Sequence, residues 1–92
     1  MGDIDTAISL SPFTLAYYIE KAVLCYRVKL ADEGIRTMLD ALAFAPQAPD
    51  VHYLLGRLNV QKGDNAAARG YLEKAVELGH PDAVSALSQI KE

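Results

Sequence analysis

The chain has 92 residues, 51% of them apolar, with a net charge of −3 and a pI near 5.3. That length supports one domain around one core, and the apolar share excludes a disordered chain. The acidic balance argues against a general nucleic-acid or anionic-membrane surface, because both need a basic excess.

Residues 1–11 are weakly patterned and read as an extended or frayed lead-in. They lack a basic region followed by a long apolar run, so no signal peptide is expected. Met1-Gly2-Asp3-Ile4-Asp5-Thr6 fits the loose myristoylation pattern. Two acids so close suit an acyl anchor poorly, and the match is read as chance. No later run approaches the ~20 apolar residues that span a bilayer. Cys25 is the single cysteine and cannot form an internal disulfide, which suits a reducing, cytoplasmic setting.

Ser11-Pro12 reads as a helix start, Ser as cap and Pro at the first helical position. Leu15, Tyr18, Ile19, Ala22, Val23 and Tyr26 then recur at helical spacing, to an end near Lys29. Asp32 is placed to cap a second helix whose buried stripe is Ile35, Met38, Leu39, Leu42 and Ala45, stopped by Pro46 and Pro49. Pro49-Asp50 opens a third, with Val51, Leu54, Leu55 and Leu58 on one face. Gly63-Asp64 is a turn, and Asp64 or Asn65 caps a fourth helix carrying Ala68, Tyr71, Leu72, Ala75 and Val76. Gly79 ends it, and Pro81-Asp82 opens a last short helix with Ala83, Ala86, Leu87 and Ile90. The expectation is all-α, about five helices joined by short links as antiparallel neighbours.

The chain also resembles itself. The register that sets Ala22 on Gly56 also sets Gly34 on Ala68, Met38 on Leu72, Ala41 on Ala75, Leu42 on Val76 and Phe44 on Leu78. Small residues meet small ones and large apolar residues meet large ones. A helix–turn–helix period of about 34 residues is that of tetratricopeptide repeats, and the chain resembles that family over residues 12–92. In the second unit, 49–82, Leu55-Gly56, Gly63-Asp64, Ala68, Leu72 and Ala75 carry the resemblance. In the first, 15–48, it rests on Tyr18, Ala22, Gly34, Ala41 and Pro46, while Lys21, Lys29-Leu30 and, in unit two, His52 depart from the pattern. Pro49-Asp50-Val51 also matches Pro81-Asp82-Ala83, at a spacing slightly shorter than the period. Residues 82–92 then read as a truncated third unit with Ser85, Ser88, Gln89, Lys91 and Glu92 as the solvated side of a capping helix.

The resemblance implies a short right-handed α-solenoid that binds a protein partner on its concave face. Carried over by position, that face holds Ile19, Val23, Tyr26 and Arg27 of the first unit and Tyr53, Leu54, Arg57, Val60 and Gln61 of the second. Ala16 of the first unit and Asp50 of the second lie on it too, and the capping helix adds Asp82, Ser85 and Gln89. Some relatives clamp a chain-end carboxylate with Lys, Asn and Arg. Here Ile19 and Val23 stand at the Lys and Asn positions, so no such clamp is expected. An apolar, tyrosine-bearing face with one or two arginines suits an apolar peptide or amphipathic helix. The alternatives are self-association, a piece of a longer array, or a small chaperone of the secretion type, since arrays of two repeats and a cap bury little core.

No catalytic, cofactor or metal constellation is expected. His52 and His80 form no ligand pair with each other or with Cys25. His80 reads as a residue at a helix C-terminus, and Cys25 as a small buried hydrophobe.

Overall fold

The computed structural model describes the backbone of residues 2–90 and the side chains of residues 4–90. Among the described residues six helices follow one another: α1 (Gly2–Leu10), α2 (Leu15–Arg27), α3 (Ala31–Leu42), α4 (Pro49–Lys62), α5 (Asn65–Glu77) and α6 (Ala83–Ser88). Each packs on its neighbour in sequence, α4 and α5 most extensively, and α2 also touches α4. The molecule measures 40 × 25 × 18 Å, a row of helices more than twice as long as it is thick. No helix among the described residues is long and apolar enough to cross a membrane.

The repeat register holds at the level of helix starts. The step from Leu15, which opens α2, to Pro49, which opens α4, equals the step from Ala31, which opens α3, to Asn65, which opens α5. Both equal the step from Ala22 to Gly56 read in the sequence. The core repeats with it. Tyr18 and His52, Ala22 and Gly56, Cys25 and Asn59, Gly34 and Ala68, Met38 and Leu72, and Ala41 and Ala75 are buried pair by pair. Met38, Val51, Leu55, Leu58 and Leu72 are fully buried, each contributing roughly 1.5–3 kcal/mol by loss of water contact.

Three helices end in the same way. Lys29, Gly63 and Gly79 adopt positive φ of 63°, 96° and 90°. The next residue's N–H reaches back to the carbonyl of Cys25 (2.8 Å), Asn59 (2.9 Å) and Ala75 (2.9 Å) respectively. This left-handed closure satisfies carbonyls that the helix leaves orphaned. The Lys29-Leu30 departure from Gly-Asp therefore makes the same turn with a residue less suited to it.

Several expectations are corrected. Residues 1–11 are not an extended lead-in: α1 occupies 2–10. Ile4 is buried and Ile8 packs on the core, while Lys21 on α2 pairs with Asp5. So short a helix is marginal alone, and α1 is held by this packing on α2. Ser11-Pro12 does not start a helix. The Ser11 N–H bonds Ala7 O and the Thr14 N–H bonds Ser11 O, so the doublet lies in a turn and Thr14 stands at the N-cap of α2. Leu30, not Asp32, precedes the first residue of α3, and Asp32 pairs with Lys62 at 2.9 Å. Within the α3 stripe Leu39 is exposed, as is Val76 of α5. Asp64 does cap α5, accepting the Ala67 N–H at 3.1 Å.

The last helix has Ala83 as its first residue and Asp82 at its N-cap, so the Pro81-Asp82 doublet stands at its start as expected. Its first residue lies one full period after Pro49, but its burial follows the shorter spacing: buried Val51 matches buried Ala83, whereas a full period would set buried Val51 and Leu55 on exposed Ser85 and Gln89. The Asp82 N–H donates to His80 Nδ1 at 3.1 Å, which holds the Pro-Asp doublet in a turn. Lys91 and Glu92, expected on the solvated side of this helix, lie outside the described residues.

The register also reaches further back than residue 12. Ile4, Met38 and Leu72 are buried at successive single periods, and Ala7, Ala41 and Ala75 follow the same spacing. In this register α1 corresponds to α3 and α5, while α6 corresponds to α2 and α4 at the shorter spacing.

Candidate functional site

α2 and α4 begin one period apart and touch, so one register relates their residues. Ile19 is matched by Tyr53, Val23 by Arg57, Tyr26 by Val60 and Arg27 by Gln61. The structure links three of these residues most tightly. Arg57 donates from Nη2 to the Tyr26 hydroxyl at 3.0 Å, across to α2. From Nη1 it makes a longer 3.4 Å bond to the hydroxyl of Tyr53, one turn earlier on α4. The guanidinium carbon lies 5.6 Å from the Tyr26 ring centre and 5.9 Å from that of Tyr53, within cation–π range. The hydrogen bond to Tyr26 pushes the Arg57 pKa above the ordinary value, against a smaller opposing effect of burial. Gln61 donates to the Tyr26 carbonyl at 2.9 Å, so two α4 side chains tie the end of α2.

Of the other predicted site residues, Val60 lies beside this cluster. Ile19 and Leu54 are half-buried and pack against the core, and Val23 is half-buried. Val60 and Arg27 are exposed, as are Ala16, Asp50, Asp82, Ser85 and Gln89. A small cavity of about 80 Å³ opens beside the guanidinium, lined by Tyr26, Arg57, Val60, Ala86, Gln89 and Ile90. It joins α2 and α4 to the α6 end of the chain.

His80 belongs to the site, although the sequence alone places it only at a helix end. Its ring stacks on Tyr53 with centroids 4.1 Å apart and planes 8° from parallel. Since Nδ1 accepts the Asp82 N–H, the ring proton sits on Nε2, 3.1 Å from Asp50 Oδ1. A continuous contact path thus runs from Asp50 through His80, Tyr53 and Arg57 to Tyr26. No spacing rule reveals it, because it depends on how the α5–α6 turn folds back over the start of α4.

Two broader hollows lie elsewhere. One of about 570 Å³ sits by the α2–α3 turn, edged by Lys29, Asp32, Arg36 and Lys62 among others. The other, about 510 Å³, runs along α5 past Ala67, Gly70, Tyr71 and Lys74, with His52 at its edge. His52 is buried and its Nε2 meets Pro46 O at 2.9 Å. Cys25 is fully buried, and burial raises its thiol pKa, the setting of an inert thiol. Among the described residues no group of three or more His, Cys, Asp or Glu side chains is arranged to hold a metal ion.

Comparison with protein-family models, with curated proteins and with solved structures finds no match to this chain.

Proposed function

We propose that this chain is a tetratricopeptide-like protein-binding module without catalytic activity, whose α2–α4–α6 face receives an apolar or amphipathic segment of a partner protein. One observation carries the reading: Arg57 braced between Tyr26 and Tyr53, on helices where Ile19 and Leu54 pack on the core and Val23 is half-buried. Tyr and Arg dominate binding hot spots, and rigid aromatics lose little entropy when a ligand covers them. The shared spacing of helix starts supports the repeat assignment. Peptides selected from a displayed library against the folded chain test the reading. They should perturb the NMR signals of Tyr26, Tyr53 and Val60, and lose affinity for the Tyr53→Ala, Arg57→Ala double variant while its helical CD is unchanged. Equal binding by that variant discards the face.

A second reading, self-association, is favoured by the apolar side chains exposed at the two ends of the row: Leu10 (80%) and Phe13 (77%) at one, Val84 (63%) at the other. Sedimentation over a wide concentration range separates the two, since a monomer at all concentrations removes self-association.

A further inference from the structure

Arg57 is a half-buried cation that faces no carboxylate among the described residues. Both its hydrogen bonds go to neutral tyrosine hydroxyls, which leaves most of a guanidinium's N–H donors over. Asp50, the acid nearest along this face of α4, is held instead against His80. Beside the guanidinium lies the 80 Å³ cavity, and Val60, Ala86 and Ile90 give it apolar walls. Any segment that docks here strips further water from Arg57. A desolvated cation without a counter-charge is costly, so an occupant that brings an anion is favoured over one that does not.

Resting on the binding role proposed for this face, we infer that the occupying segment carries an Asp or Glu side chain whose carboxylate pairs with the free edge of Arg57. The short methylene stem of that side chain fills the cavity against Val60, Ala86 and Ile90. The guanidinium fork matches a carboxylate two bonds at a time. Within the Tyr26–Arg57–Tyr53 cluster only Arg57 carries a positive charge, and a doubly charged phosphate would ask for more.

The probe is a displayed library of helix-favouring peptides of about 15 residues, roughly four turns. It is selected on the whole chain, and the selected sequences are synthesised with both ends blocked. An acidic residue should recur at one position. Its change to the amide should weaken binding to the unaltered chain about tenfold or more, and should change nothing with Arg57→Met. Arg57→Lys, which keeps the charge but loses the fork, should give an intermediate loss. It also serves as the second variant if Arg57→Met fails to fold by CD. Peptides that shift the Tyr26 and Val60 signals yet bind equally with acid or amide would overturn the inference and leave the binding face standing. Peptides that bind only with a free C-terminal carboxylate would overturn it too, by moving the anion to a chain end. Selection yielding no peptide that touches this face would remove both the inference and the reading beneath it.

Discussion

Lys29 and Gly63 stand one repeat period apart and close the same left-handed turn, one at φ 63° with a side chain and the other at φ 96° without one. An L-residue there brings Cβ against its own carbonyl, at roughly 1–2 kcal/mol. Lys29→Gly relieves that strain and gives back part of the gain through the unfolded chain's greater freedom. The net expectation is stabilisation of roughly 0.5–1 kcal/mol, read as a higher urea midpoint at unchanged slope. Gly63→Lys should lower the midpoint by a similar amount.

Two helical glycines should respond to alanine with opposite signs. A Cβ on Gly56 would lie 2.5 Å from Leu72 Cγ and 2.6 Å from Leu72 Cδ2, inside a core where Leu72 is fully buried. Overpacking of that kind costs about 1–3 kcal/mol. A Cβ on Gly70 meets nothing within 4 Å, and the gain in helix propensity is about 0.5–1 kcal/mol. Thermal melts of Gly56→Ala and Gly70→Ala should move to either side of the parent.

Alkaline pH should loosen the α1–α2–α3 corner in two stages. Burial, and then Glu33, raise the Cys25 thiol pKa in the folded chain; the hydrogen bond to Asp5 raises that of Lys21. Each group is held protonated by folding. Its stabilising effect is therefore complete below its unfolded pKa and disappears as pH climbs through the folded one. Urea midpoints should fall first above the ordinary thiol value of about 8.5, and again above about 10.4 for the ammonium. Cys25→Ala should erase the first fall and Asp5→Asn the second. At neutral pH a thiol reagent should label Cys25 only as fast as the helices open.

His80 should anchor α6. His80→Ala removes the stacking on Tyr53 and both ring hydrogen bonds. Such a stacked pair contributes about 0.5–1.5 kcal/mol and each bond about 1 kcal/mol. Amide exchange over Ala83–Ser88 should accelerate well before that of α4. His80→Phe, which keeps the ring, should recover part of the protection.

Much of the fold is legible in the residues. Periodicity marks α2 to α5, and Gly63, Asp64 and Gly79 mark ends that the structure retains, because these signals are local: a cap, a positive φ, a stripe. What escapes depends on distant packing. The α1 helix is too short for its stripe to stand out, and only burial of Ile4 and Ile8 against the rest makes it helical. Ser11-Pro12 has the chemistry of a helix start but is drawn into a turn by the helix before it. At the site, Tyr26, Tyr53 and Arg57 are legible as members of one face because the resemblance sets the first helix of each pair along it, but the Arg57 bonds that join them run between non-equivalent positions. His80 is not, since its place above Tyr53 is decided by the path of the α5–α6 turn.

That α1 falls within the same register as the four helices after it has a consequence for how the chain tolerates editing. An insertion or deletion of one residue within α3 or α4 shifts every later side chain around its helix. Removal of residues 31–64 joins Leu30 to Asn65, which puts Asn65 where Ala31 had stood and leaves each remaining residue at an equivalent position. Duplication of the same stretch lengthens the row without changing any turn. The arithmetic of this molecule is thus in whole repeats, and its length is the variable that its architecture leaves free.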